Sequence, residues 1–336
     1  MITVGQSDLA SAMSLLDQNT RTKTALEAAS KELSTGVRNN LIEATAGDLG
    51  KLFSIDRTLL RLNSETDAIQ LASSKSALAQ VSLGNIHENL VDFGPQLLSA
   101  VERGDTQSAR LVAGDARHAL GAVVTSLNVR YGRHSIFSGA ALDQQSIAPT
   151  EVIISDISSI IAGAADSTAA MLAIDDYFFS PTGGFETNIF RGATEEAPPF
   201  RDESGETIEY ALGADSFGIR TAIRALTIAV VASDVPNFLG TSDQVDLLRE
   251  AGSAAIAATG DITTLREKLG FAEGRIEGME ARNSAMRGFF ELERSSLVSA
   301  DPYEAATKFE ALQVQLQTIY TITTRLSNLS LTNFLR

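Results

Sequence analysis

The sequence contains no cysteine and only three histidines, His87, His118 and His134. The lack of cysteine excludes disulfides, thiolate metal sites and cysteine nucleophiles. None of the histidines stands in a His-Glu-x-x-His type of spacing, which would place two imidazoles on one helix face. We therefore predict no metal site and expect these histidines to be surface or bundle-edge side chains.

Enzyme motifs are also lacking. The sequence has no phosphate-binding loop, no Gly-x-Ser-x-Gly nucleophile elbow and no dinucleotide fingerprint. An EF-hand pattern is absent, so the acid-rich loops of residues 195–206 are interpreted as a solvated surface rather than a calcium site. We expect a protein that is not an enzyme and binds no cofactor.

Charge and hydropathy restrict the partners. The chain has 42 acidic and 27 basic residues, a formal net charge of −15, which repels nucleic acid and anionic membrane surfaces. Arg220 and Arg224 interrupt the apolar run at 219–232, which is too short to cross a bilayer. The first residues lack a basic segment followed by an apolar core, so export would proceed without a cleaved signal peptide. Neither nucleic acid nor membrane is an expected partner.

The C-terminal segment, residues 301–336, carries the clearest positive signal. Asp301 and Pro302 suit the N-cap and the first position of a helix. Apolar positions then alternate in steps of three and four, which predicts an amphipathic helix that needs a partner. The stripe consists of Phe309, Leu312, Leu316, Ile319, Thr323 and Leu326.

The N-terminal segment has a matching pattern, which predicts a helix near residues 8–35. Its stripe consists of Leu15, Asn19, Thr22, Leu26, Ala29 and Leu33. A second apolar row contains Leu9, Met13 and Leu16. Because each stripe is short and contains Thr, Ala or Asn, the helices are marginal without tertiary cover. We predict that the two chain ends pair as a coiled coil that becomes fully ordered in an assembly.

Between these ends, residues 36–145 and 213–300 have leucine- and alanine-rich helical spacing. From residue 215 onward we predict three helices, near 219–230, 245–251 and 262–298. Gly270, Gly274 and Gly278 form a strip that would admit a close backbone, or else simply weaken the last helix.

Residues 146–212 differ in composition, with more Gly, Pro, Phe and acidic residues, and favour a small β-containing insert. The Asp-Glu-Ser-Gly run favours a hairpin turn. The β-prone segments are 151–154, 177–180, 185–190 and 206–212.

The predicted fold class is mainly α: an elongated antiparallel helical rod, with a coiled coil formed by both chain ends and a small β-containing inserted domain. Both termini are expected at one tip. The predicted divisions are 1–35 with 301–336 for the coiled coil, 36–145 with 213–300 for the rod, and 146–212 for the outer insert.

Three segments resemble the flagellin superfamily. Residues 31–38, Lys-Glu-Leu-Ser-Thr-Gly-Val-Arg, resemble the Leu-Ser-Thr-Gly segment where the first long helix of that superfamily ends. Residues 131–139, Tyr-Gly-Arg-His-Ser-Ile-Phe-Ser-Gly, and residues 320–336 are similar to segments of its hook–filament junction family. Residues 39–45 depart from the Asp-Asp turn usual in flagellins, which leaves the contacts of the 37–50 loop open.

The resemblance implies a structural protein of the bacterial flagellum, exported unfolded, whose terminal helices pair in an inner tube. It implies partners, namely copies of itself in a helical ring, the hook protein, a second junction protein, flagellin subunits and an export chaperone. The residues expected to form the assembly interface are Leu15, Leu26, Leu33, Phe309, Leu312, Leu316, Ile319, Leu326, Leu329, Leu331, Phe334 and Leu335.

Two other functions remain open at this point. A filament flagellin shares the first motif and would differ in copy number. A signalling coiled coil is a remote alternative, because the insert interrupts the heptads that such a rod needs.

Overall fold

A computed structural model describes residues 4–44, 49–195, 199–201, 207–208, 212–234 and 241–334. The helices are α1 (Val4–Thr35), α2 (Leu41–Ala44), α3 (Leu49–Val91), α4 (Phe93–Glu102), α5 (Thr106–Leu127), α6 (Thr150–Gly163), α7 (Ser167–Phe179), α8 (Phe217–Asp234), α9 (Thr241–Val298) and α10 (Pro302–Phe334), with a π-helix at Phe185–Ile189. Two antiparallel strand pairs join β1 (Arg130–Tyr131) to β2 (His134–Ser135) and β3 (Phe200–Arg201) to β4 (Thr207–Ile208).

The chain divides into two compact units. The first contains residues 1–64 and 283–336, and the second contains residues 65–282. In the first unit, α1 packs against α10. The early part of α3 lies along the late part of α9, where Lys51 pairs with Glu293 at 2.5 Å and Asp56 with Arg294 at 2.6 Å.

Aspartates fix the starts of several helices. The carboxylate of Asp105 accepts the Ser108 backbone N–H, and that of Asp166 accepts the Ala169 N–H at 2.8 Å. The carboxylate of Asp301 accepts the backbone N–H groups of Tyr303 and Glu304, as expected for the predicted N-cap. Each cap satisfies donors that the first helical turn leaves unpaired.

Helix α8 is the centre of the second unit. Every residue from Gly218 to Ala232 is buried except Arg220, and α5, α6 and α7 pack around the helix. A continuous apolar core joins these helices to α4 and to parts of α3 and α9. A smaller cluster places Ile208 of β4 among Ile69, Ala72, Ile276 and neighbouring residues, which anchors the β3–β4 hairpin.

Two arginines of α8 tie the core helix to the insert. The side chain of Arg224 is only 6% exposed. Its guanidinium lies 2.6 Å from the Asp175 carboxylate of α7 and 3.0 Å from the Glu250 carboxylate of α9. Arg220 pairs with Glu186 in the π-helix and lies over the ring of Phe185, 4.8 Å from its centroid. Buried charge is tolerated here because each cation has carboxylate partners.

Helices α4 and α9 approach closely where two glycines face each other. A Cβ on Gly94 would lie 2.9 Å from the carbonyl oxygen of Gly252 and 2.9 Å from Cγ1 of Ile256. A Cβ on Gly252 would lie 3.0 Å from Cδ1 of Leu98. Glycine is therefore needed at this contact for packing rather than for backbone conformation.

The secondary structure predicted for the insert is largely wrong. Residues 151–154 lie in α6, 177–179 end α7, and 185–189 form the π-helix. The reason is that Ile153, Ile157 and Ile161 recur every four residues and are all buried, so helical periodicity overrides the β preference of isoleucine. Of segment 206–212, Thr207 and Ile208 form β4, and the predicted hairpin turn lies outside the described residues.

Two predictions for α9 are also corrected. The helices predicted near 245–251 and 262–298 are one helix, because the segment between them is alanine-rich and lacks proline. A Cβ on Gly270 or Gly274 would meet no atom within 4 Å, so no described backbone comes close to this strip.

The predicted mainly-α class, with antiparallel helices contributed by both chain ends, is confirmed. The three-part division of the chain stays a prediction.

Removing the two carboxylates that pair with Arg224 should cost more stability than removing Arg224 itself. The double variant D175N/E250Q leaves a buried cation unpaired, and we expect it to lose about 2–3 kcal/mol of unfolding free energy. R224M should lose about 1 kcal/mol, because Asp175 and Glu250 are 47% and 36% exposed and can be hydrated. Urea unfolding followed by circular dichroism measures both. R249M, which breaks an exposed pair with Asp246, is the control and should change little. Equal losses of unfolding free energy for D175N/E250Q and R224M would contradict this prediction.

The glycine contact between α4 and α9 generates a second prediction. We expect G94A to lose about 1–3 kcal/mol of stability, because its Cβ overlaps the backbone of α9. G260A, in an exposed part of α9 where a Cβ meets nothing within 4 Å, should gain about 0.5–1 kcal/mol. Thermal unfolding of the two variants against the parent chain tests the sign of each change. A stabilising G94A would show that the two helices are not in tight contact.

Candidate assembly interface

The terminal helices form an antiparallel pair in the first unit. The end of α1 lies beside the start of α10, where Nζ of Lys308 is 3.7 Å from a carboxylate oxygen of Glu32. The backbone N–H of Ala300 donates to the carbonyl of Gly36 at 2.8 Å. The helices then run past each other in opposite directions.

Small and β-branched residues form the most buried part of this seam. Thr22 and Ala29 of α1 are buried, as are Ala305 and Ile319 of α10. Of the predicted interface residues, Ile319 is therefore buried and Leu33 is 43% exposed. Those that lie half-buried are Leu15, Leu26, Phe309, Leu312 and Leu316.

The side chains of the predicted interface residues near the C-terminus lie outside the described set. Leu326, Leu329, Leu331 and Phe334 lie within the backbone of α10, but their side chains are outside the described set. Leu335 lies outside the described residues altogether.

A second apolar surface points away from the seam. Met13 and Leu16 of α1 are 62% and 64% exposed, and Val314 and Tyr320 of α10 are also exposed. Met13 and Leu16 are three residues apart and therefore share one face of α1, where they form an exposed apolar row. The α1–α10 pair therefore leaves two sets of apolar side chains without full cover. One is the half-buried leucines that flank the seam, and the other is the outer row of Met13 and Leu16.

A short backbone pairing, which we call the clasp, joins residues 36–38 to residues 298–300. Val37 faces Ser299 in an antiparallel bridge. The backbone N–H of Arg38 donates to the carbonyl of Val298 at 2.8 Å, and the N–H of Ala300 donates to that of Gly36. Gly36 has φ of +69°, the left-handed conformation that ends α1 and favours glycine.

Side chains support the clasp. Nε of Arg38 donates to the carbonyl of Ser299 at 3.2 Å. The Glu32 carboxylate accepts the backbone N–H of Asn39 at 2.7 Å while it pairs with Lys308. Glu32, Arg38 and Lys308 border a cavity of about 60 Å³, and Asp301 and Glu304 add further negative charge to its lining. Mixed charge in so small a space favours an internal network over a ligand site.

The described residues were compared with the arrangements that hold metal ions and with helices that cross membranes. Within the described part of the chain, no group of three or more acidic or histidine side chains is placed to hold a metal ion. His118 and His134 are exposed, and His87 only approaches the Thr263 hydroxyl at 3.4 Å. Among the described helices, none combines the length and apolarity needed to cross a bilayer.

Sequence reasoning identified the interface helices but missed the clasp. The segment at 31–38 carries a family resemblance, but its pairing with 298–300 joins residues about 260 positions apart, which no local pattern predicts. The one local signal was Gly36 at the end of the α1 stripe, because a glycine in that position indicates where a helix ends.

One family model matches part of this chain. Residues 253–335 match the family model described as the bacterial flagellin C-terminal helical region. A search of curated protein sequences finds no match.

Two solved structures illustrate what the chain is similar to. The crystal structure of Bacillus cereus FlgL aligns with 72% of this chain and 98% of its own, with a TM-score of 0.51 and 11% sequence identity. A flagellar hook-associated protein from Vibrio parahaemolyticus aligns with 71% of this chain and 95% of its own, with a TM-score of 0.41 and 12% identity. Residues 253–335 therefore resemble the bacterial flagellin C-terminal helical region, and the chain has a fold similar to that of Bacillus cereus FlgL.

Proposed function

We propose that this chain is a structural component of the bacterial flagellum, a hook–filament junction protein that assembles at the hook tip and adapts it to the filament. The observation that carries the proposal is the paired terminal helices with their uncovered apolar rows, on a chain with the FlgL fold. The flagellin-type C-terminal region contributes one of the two helices.

The physical basis is incomplete burial. Leu26 and Leu316 lie half-buried at the rim of the seam, and Met13 and Leu16 lie outside it. Removing apolar surface from water yields about 25 cal/mol per Å², so further copies packed around the pair would be stabilised. Head-to-tail contacts of this kind generate rings or open helical arrays. The same copies would bring together the C-terminal Leu329, Leu331, Phe334 and Leu335.

The partners follow from this role. The chain would contact copies of itself in a helical ring, the hook protein on one side, and a second junction protein and flagellin subunits on the other. An export chaperone would keep the terminal helices apart before assembly. The site would be extracellular, reached without a cleaved signal peptide, and the role would need neither catalysis nor cofactor.

Deletion of the gene in its host tests the role. We expect bare hooks in electron micrographs and flagellin monomers in the medium, because filament subunits would be exported without a surface on which to assemble. Blotting the medium for flagellin measures the second effect, and complementation with the parent gene is the control. Missing filaments with no exported flagellin would indicate the filament subunit, and normal filaments would overturn the proposal.

Charge placed on the two apolar rows tests the interface. In the complemented deletion strain, L316D should abolish incorporation and also weaken the monomer, because the site is half-buried. L16D should abolish incorporation while the monomer unfolds at its normal temperature, because Leu16 is exposed in the single chain. Filament counts, thermal unfolding and the amount of variant in the medium separate assembly, stability and export.

The matched control is Q313D, which adds the same charge at an exposed polar position of α10. It should leave filament numbers unchanged. Normal filaments with L16D and L316D would show that neither apolar row lies at a subunit contact.

A further inference from the structure

The clasp fixes one end of the terminal helical pair with backbone hydrogen bonds. Its two donors, the N–H groups of Arg38 and Ala300, reach the carbonyls of Val298 and Gly36. Backbone bonds of this kind specify which residue faces which, since a shift of one strand by one residue breaks both. A shift by one heptad would displace α1 along α10 by about 10 Å, which the intact clasp forbids.

The seam itself specifies register weakly. Thr22 and Ala29 are the buried residues among the α1 side chains that the structure describes, and they are seven positions apart. A heptad shift therefore exchanges one small side chain for another. A buried asparagine often fixes register by a hydrogen bond across the seam. Here the buried Oδ1 of Asn19 has no hydrogen-bond partner among the described residues. The Glu32–Lys308 pair adds little, because Lys308 is largely exposed.

We infer that the clasp, rather than the side chains of the seam, sets the register of the α1–α10 pair. Helices are stiff, so anchoring one end fixes the level of every residue along both. The outer apolar row at Met13 and Leu16 is thereby held at one height relative to the rest of the first unit. This inference concerns the single chain and does not depend on the proposed flagellar role.

The register can be measured with a series of engineered cysteine pairs, which we call the ladder. No other thiol interferes, because the chain has no cysteine of its own. Ala29 lies three residues before Glu32 and Leu312 lies four residues after Lys308, so Ala29 and Leu312 stand at the same level. Positions 305 and 319 are one heptad away on either side. Three full-length proteins carry A29C together with A305C, L312C or I319C, and the rate of disulfide formation under a fixed oxidant is measured for each.

The ladder is then repeated in a pair of matched backgrounds. R38P/A300P removes both backbone donors of the clasp, and the residues before each proline, Val37 and Ser299, already lie in the extended bridge. R38A/A300G removes the same side chains but keeps both N–H groups. The two backgrounds therefore differ in the clasp hydrogen bonds and not in the Arg38 guanidinium.

We expect the 29–312 disulfide to dominate in the parent chain and in R38A/A300G. In R38P/A300P the rates of the 29–305 and 29–319 disulfides should rise by about tenfold or more, the change expected for two lost hydrogen bonds. Equal rates of the shifted disulfides in the two backgrounds would overturn the inference and assign register to the seam.

If α1 and α10 no longer pair in R38P/A300P, single variants still test the inference. R38P and A300P each keep one clasp hydrogen bond, and each is compared with R38A or A300G. A rise of about fivefold in the shifted disulfides supports the inference, and no rise contradicts it. Circular dichroism of each protein checks that the helix content is retained.

Discussion

The antiparallel contact between α1 and α10 is the interaction on which the terminal unit depends. Two helices can cover only the strip of surface along which they touch, so the small residues Thr22 and Ala29 are buried while the flanking leucines are half-covered. Isolated helices of this composition are marginal in water, and their order must come from tertiary contacts. The pair therefore has a defined seam and, at the same time, an unmet requirement for further apolar cover. A monomer with this property is suited to addition at the end of an assembly, where neighbouring copies supply what is lacking.

The second unit differs because it covers its central helix, α8, within one chain, while other apolar side chains such as Leu111, Leu172 and Phe271 stay exposed. Helix α8 is enclosed by its neighbours, and Arg224 can lie inside that core only because α7 and α9 each supply a carboxylate. These ion pairs specify which helices surround α8 more than they stabilise the unit, since a buried pair recovers little beyond its desolvation cost. The glycine contact between α4 and α9 acts in the same direction, because only one relative position of the two backbones avoids a clash. Specific contacts of this kind fix how α4, α7, α8 and α9 pack within the unit.

Local sequence signals accounted for the terminal helices and not for the insert or the clasp. The heptad stripes, the N-cap at Asp301 and the glycine that ends α1 are properties of a few adjacent residues, so α1 and α10 were predictable. In α6 the local signals conflicted, because isoleucine favours strands while its spacing favours a helix, and burial against α8 decided the outcome. The clasp joins residues that are distant in sequence, and nothing in either segment alone specifies the other. The half-buried leucines of the interface were predictable as a stripe, but the degree of their burial depends on the partner helix.

The distribution of charge is consistent with this division of roles. Residues 146–212 contain twelve acidic and two basic residues, so this fifth of the chain carries ten of the fifteen net negative charges. Helices α1 and α10 together contain six acidic and five basic residues and are close to neutral. Like charge on closely packed copies would oppose their association, whereas a strongly charged surface keeps a protein solvated. The net charge is therefore concentrated in residues 146–212, and the two terminal helices carry a net charge of only −1, so like-charge repulsion between such helices is weak.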